Sequence, residues 1–147
     1  MVWLYLLFAV AAGAMLPVQF GVNAQLAHWL GSPVRAAFVS FLVGTIVLLV
    51  ISAFVRKPLP SAARLGDIPW WVWLGGLLGA FYVAGSIVTA PKLGALTLTA
   101  AVVAGQAIAS VLVDQFGWVG FEEQHATPGR VVGVLLVAVG VVLVRAF

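Results

Sequence analysis

Five long apolar runs, parted by short clusters of proline, glycine and charge, leave this chain few ways to fold. The hydrocarbon core of a bilayer is about 30 Å thick and takes about 20 apolar residues of helix at about 1.5 Å rise each. The runs extend roughly from Trp3 to Trp29, Val34 to Val55, Pro69 to Ala90, Leu93 to Phe116 and Pro128 to Ala146. They are bounded by Gly31-Ser32-Pro33, Arg56-Lys57-Pro58, Pro91-Lys92-Leu93-Gly94 and Glu122-Glu123-Gln124-His125. Backbone groups find no water inside lipid, so each run is expected as a helix. A β-barrel would need alternating apolar and polar residues, and these runs do not alternate. The expectation is an all-α membrane protein in which residues 1–147 form one domain of five transmembrane helices.

Composition agrees with that reading. The chain is 64% hydrophobic and 7% charged, where a soluble domain carries about 25% charge. Seven Lys and Arg and four Asp and Glu could not cover a water-soluble surface of this size. An ordinary soluble enzyme and a disordered segment are excluded. So is a disulfide-built module, since there is no cysteine. The cations are scattered rather than striped, which excludes a nucleic-acid partner. No HExxH, GxSxG, P-loop or EF-hand pattern is present. His28 and His125 lie far apart, so no enzyme, metal site or cofactor is expected. No Lys or Arg precedes Trp3, so a cleaved signal peptide is not expected either.

Tryptophan favours the headgroup level, and Trp3, Trp29, Trp70, Trp71, Trp73 and Trp118 all fall near expected helix ends. Loop cations set orientation. With five crossings, Arg56, Lys57, Arg64 and Arg130 share the amino-terminal side, against Arg35, Lys92 and Arg145 opposite. Four against three is almost no bias, so the chain can insert both ways. Transporters commonly pair two halves of inverted topology, and no internal repeat supplies a second half. A second, inverted copy of the same chain would supply it; a singly oriented monomer or parallel oligomer is the alternative.

Polar side chains inside lipid are costly, which makes their positions informative. Gln19 and Asn23 share a face of the first segment, where Pro17 and Gly21 weaken the helix. They are expected either to line a polar cavity at a kink or to act as amide glue between helices. In the fourth segment Gln106 lies near the midpoint, and Ser110 and Asp114 follow on the same face. Asp114 lies about 12 Å beyond Gln106 along the axis, close to the membrane boundary. There it either marks the water interface, paired with Arg130 or another loop cation, or serves as an ion or gate position. Tyr82, Ser86 and Thr89 follow at helical spacing in the third segment, and Ser40 and Thr45 sit in the second. Hydroxyls can bond the preceding turn's carbonyls, but the Tyr82 hydroxyl needs a polar neighbour.

Small-residue stripes, Ala36-Ser40-Gly44, Gly75-Gly79, Ala101-Gly105 and Gly129-Gly133 with Gly140, let helix backbones approach closely. The fifth helix has no polar side chain from Val131 to Val144. It cannot line an aqueous route, and its Gly133–Gly140 face is expected either as a dimer seam or as a face toward lipid.

The run Gln19-Phe-Gly-Val-Asn23-Ala-Gln-Leu26, then Gly31-Ser-Pro33 and Ser40-Phe-Leu-Val-Gly44, resembles the start of the YdcZ-like family, the half-length branch of the drug/metabolite transporter superfamily. The resemblance continues through Trp71-Val-Trp-Leu-Gly-Gly-Leu-Leu-Gly79, Ala104-Gly-Gln-Ala-Ile-Ala-Ser110, Asp114-Gln-Phe-Gly117 and Thr127-Pro-Gly-Arg130-Val-Val-Gly133, and so spans essentially the whole chain. It implies a multi-pass inner-membrane protein and a ten-helix unit made of two inverted halves, either an antiparallel homodimer or an oppositely oriented pair. It also implies that Gln19, Asn23, Gln106 and Ser110 line a central site. The pattern departs at Gln115, where the family commonly has His, so no proton-handling role is assigned there. Small multidrug-resistance exporters use a carboxylate in their first helix; here that helix offers only amides, which neither titrate nor attract a cation.

The leading expectation is a transporter of a small neutral, zwitterionic or weakly polar solute, working by alternating access as a dual-topology homodimer. Gln19, Asn23, Tyr82, Gln106 and Ser110 would bind the solute. A dual-topology channel and a non-transporting scaffold or accessory subunit are the competing expectations.

Overall fold

A computed structural model describes residues 2–55 and 60–147. The loop cations Arg56 and Lys57, and the breaker Pro58, lie outside the described residues. The elements are α1 (Val2–Leu30), α2 (Pro33–Ala53), α3 (Ala62–Gly66), a 3-10 turn at Trp70–Trp73, α4 (Leu74–Phe116), a second 3-10 turn at Trp118–Gly120, and α5 (Pro128–Ala146). Among the described residues, four helical segments are long and apolar enough to cross a membrane: α1, α2, Trp70–Phe116 and α5.

Local chemistry explains where the helices stop. Gly31 adopts a left-handed φ of 65° just past α1. That lets the Ser32 N–H donate back to the Ala27 carbonyl at 3.2 Å, the Schellman closure of a helix end. Ser32 then caps α2, its hydroxyl accepting from the Arg35 N–H at 3.4 Å, and Pro33 takes the first helical position, where no donor is missed. Thr127 and Pro128 repeat this start at α5, with the Arg130 N–H donating to Thr127 Oγ1 at 3.4 Å.

Two prolines lie inside helices. The first helix continues unbroken through Pro17, because an internal proline forfeits one backbone hydrogen bond without ending a long apolar helix. Helix likewise continues through Pro91, and the expected third and fourth helices meet at a kink at Gly94, the last residue of the expected Pro91-Lys92-Leu93-Gly94 break, with φ 75° and ψ 164°. Only glycine occupies that region comfortably, so within the expected break the joint falls on Gly94.

The chain divides into two compact units, Met1–Val18 with Lys92–Phe147, and Gln19–Pro91. In the Gln19–Pro91 unit the core is made of Ala36 and Ala37 from α2 against Val83 and Ile87 from α4, with Leu26, Ala27 and Leu30 of α1 packed on it. The small Ala36 is fully buried, as close helix approach requires. Outside this core, large apolar side chains face outward: Phe38 is 67% exposed, Leu48 66% and Phe81 81%. Water would not tolerate so much apolar surface; lipid does.

In the other unit, the end of α4 is clasped to the start of α5. Asp114 Oδ2 accepts from Arg130 Nη2 at 2.6 Å. The Gln124 N–H donates to the Asp114 carbonyl at 2.7 Å, and Arg130 Nη1 donates to the Gln124 carbonyl at 3.2 Å. Gln115 completes the clasp: its Oε1 accepts from the Ala126 N–H at 2.7 Å, which leaves its amide nitrogen to donate to His125 Nδ1 at 3.1 Å.

Candidate functional site

The Gln19–Pro91 unit carries an open groove of about 250 Å³. Gln19 of α1 lines one side, Ser40, Phe41, Gly44, Thr45 and Leu48 of α2 the other, and Val83 of α4 completes it. Ser40 and Thr45 flank the midpoint of the 21-residue α2, and Gln19 lies near the middle of the 29-residue α1. An amide and two hydroxyls therefore gather at mid-depth of membrane-length helices, and the lining contains no ionisable side chain. Such a lining can donate and accept hydrogen bonds but cannot neutralise a charge.

Asn23, one helical turn from Gln19, is 3% exposed. No protein group among the described residues satisfies its Nδ2. The Tyr82 hydroxyl is also buried without a partner, while its ring packs edge-on against Phe20 with centroids 6.3 Å apart. Buried polar groups are nearly always paired, so two orphaned donors in one unit are notable. Ser86 and Thr89 are different: their hydroxyls donate to the Val83 and Gly85 carbonyls, both at 2.8 Å, and are satisfied within the helix.

Gln19, Asn23 and Tyr82 thus belong to one unit, and of these three Gln19 lines the groove. Gln106 and Ser110 belong to the other unit, where both are exposed. Asp114, in the same unit, is held by Arg130. Gly133 is exposed and Gly140 half-buried, and a Cβ on either would meet nothing within 4 Å. A small hollow between α4 and α5, lined by Ile108, Val111, Leu112, Val131, Val134 and Leu135, is wholly apolar.

Ser40 and Thr45 are weak signals in the sequence, because single hydroxyls in helices can bond their own backbone. Their grouping with Gln19 depends on how α1 packs on α2, which no local signal carries. The Gln115–Ala126–His125 bonds were also missed; they arise from a loop folding back on the helix that precedes it.

Membrane-length apolar helices, an outward-facing apolar surface and uncharged polar groups at mid-depth define a multi-pass membrane protein. The chain belongs to the family described as "Putative inner membrane exporter, YdcZ", whose model matches residues 4–143. It is 30% identical over 146 residues to "Inner membrane protein YdcZ" of Escherichia coli (strain K12), covering 96% of this chain and 94% of that protein. No solved structure matches the chain. The family read from the ordered motifs is the family found, and it places the chain in the inner membrane.

Proposed function

We propose that this protein carries a small neutral or zwitterionic polar solute across the inner membrane by alternating access, as a homodimer of two inverted copies. The observation that carries the reading is the groove, in which Gln19, Ser40 and Thr45 stand together at helix mid-depth with no ionisable neighbour. Hydrogen-bonding groups there need a partner, and a solute able to donate and accept provides one. The unsatisfied amide nitrogen of Asn23 and the Tyr82 hydroxyl are further polar groups of the same unit without a partner among the described residues. Gln106 and Ser110 are exposed, and a second copy would shield them from lipid. In this reading the Gly94 joint separates two crossings, making five per chain, and the Gly133–Gly140 face serves as a seam between copies.

Counterflow in proteoliposomes tests the proposal. Unlabelled solute inside the vesicles should accelerate uptake of the same labelled solute, and Gln19→Leu and Gln106→Leu should each abolish that exchange in protein that still folds. Large currents without counterflow would identify a channel. Neither flux nor a ligand-dependent thermal shift across a panel of neutral metabolites would identify a scaffold. Unchanged exchange in Gln106→Leu would return that amide to a packing role.

A further inference from the structure

Phe41 has two contacts that together give it a role. The residue lines the groove together with Gln19 and Thr45. Its ring also abuts α4 where there is no side chain: a Cβ on Gly79 would lie 3.5 Å from Phe41 Cζ and 3.8 Å from Cε1. We infer that Gly79 is a positioning residue that sets the bore of the groove by giving the Phe41 ring a seat on α4, and so sets the largest solute the groove admits. The inference rests on the groove being the solute site, and adds what limits its size.

The distances decide which substitutions matter. At 3.5 Å a single methyl is in ordinary contact, so Gly79→Ala leaves the ring in place. Valine is stiff at χ1 in a helix, and its γ carbons reach about 1.5 Å beyond Cβ, closer to the ring than packing allows. The ring must then move off α4, and the groove is the open space beside it. A groove of about 250 Å³ is already below the usual range for drug-sized ligands. Narrowing it should exclude larger molecules before smaller ones, a size-dependent effect that general destabilisation would not produce.

The chain has no cysteine, so Thr45→Cys places one thiol on the groove wall. Its modification can be followed in purified protein with two probes, methyl methanethiosulfonate and the bulkier benzyl methanethiosulfonate. Against the Gly79 and Gly79→Ala backgrounds, Gly79→Val should slow the benzyl reagent by about tenfold and the methyl reagent by less than about threefold, and Phe41→Ala added to Gly79→Val should restore the benzyl rate. Equal slowing of both reagents, no slowing, failure of Phe41→Ala to restore the rate, or a Thr45→Cys thiol that resists even the methyl reagent would each overturn the inference. These rates need no transport. The size pattern without counterflow would leave the bore intact and sink only the transport reading; counterflow without the size pattern would do the reverse.

Discussion

At the scale of single residues, Asn23 is the position where function and stability should part. Its side chain is buried with an unsatisfied amide nitrogen, and leaving such a donor unpaired costs about 1–3 kcal/mol. Leucine has nearly the same shape without that penalty. Asn23→Leu should therefore leave thermal stability in detergent unchanged or raise it, while reducing solute exchange. A large fall in stability would show that the amide is structural glue. The neighbouring hydroxyls make the contrast clear: Ser86 and Thr89 already bond their own helix, so Ser86→Ala should change exchange little.

Helix ends and joints are governed by backbone conformation and capping. Gly94 holds φ 75° and ψ 164°, a region essentially closed to other residues, and nothing lies within 4 Å of where its Cβ would be. The penalty of Gly94→Ala is thus conformational rather than steric, about 1–3 kcal/mol, and should appear as a lower unfolding midpoint in a denaturant titration. Gly105→Ala, in regular helix with equally open space, should show no such loss. The clasp between α4 and α5 is a second element-scale device. Asp114 and Arg130 are only partly exposed, and the pair also holds Gln124. Asp114→Asn keeps the shape but weakens a charge-assisted bond, and should lower stability by roughly 1 kcal/mol. It should also speed proteolysis between Gly117 and Thr127. If the only effect were on transport, Asp114 would instead belong to an ion or gate role.

For the whole molecule the question is what surrounds it. Gln106 and Ser110 are exposed, and in the proposed homodimer a second, inverted copy is what shields them from lipid. In that proposal the near balance of loop cations is what lets copies insert in opposite senses. Ser61→Cys, the only thiol in the chain and sited in the loop before α3, should react with a membrane-impermeant maleimide from both faces of the inner membrane. Reaction from one face alone would end the dual-topology reading. Shifting the bias, for example by Arg35→Ala with Lys92→Ala, should lock one orientation and reduce exchange; co-expression with an oppositely biased variant should recover it.

Hydropathy and punctuation alone determined much of this protein. Long apolar runs in a solvent without hydrogen-bonding partners can only be helices, and Gly31-Ser32-Pro33 and Thr127-Pro128 carry their own capping chemistry, so these boundaries were legible before any packing was known. The ordered motifs identified the family. Tertiary structure decided the rest, because it depends on which faces meet. Within the Pro91-Lys92-Leu93-Gly94 break, the interruption fell on Gly94, in a backbone conformation that only glycine adopts comfortably. Ser40 and Thr45 came to line one groove with Gln19 only when α1 and α2 packed. Phe41 and Gly79 are 38 positions apart in the chain, and their contact exists only because α2 and α4 come together; sequence periodicity marks which residues share a face of one helix, but not which face another helix will cover.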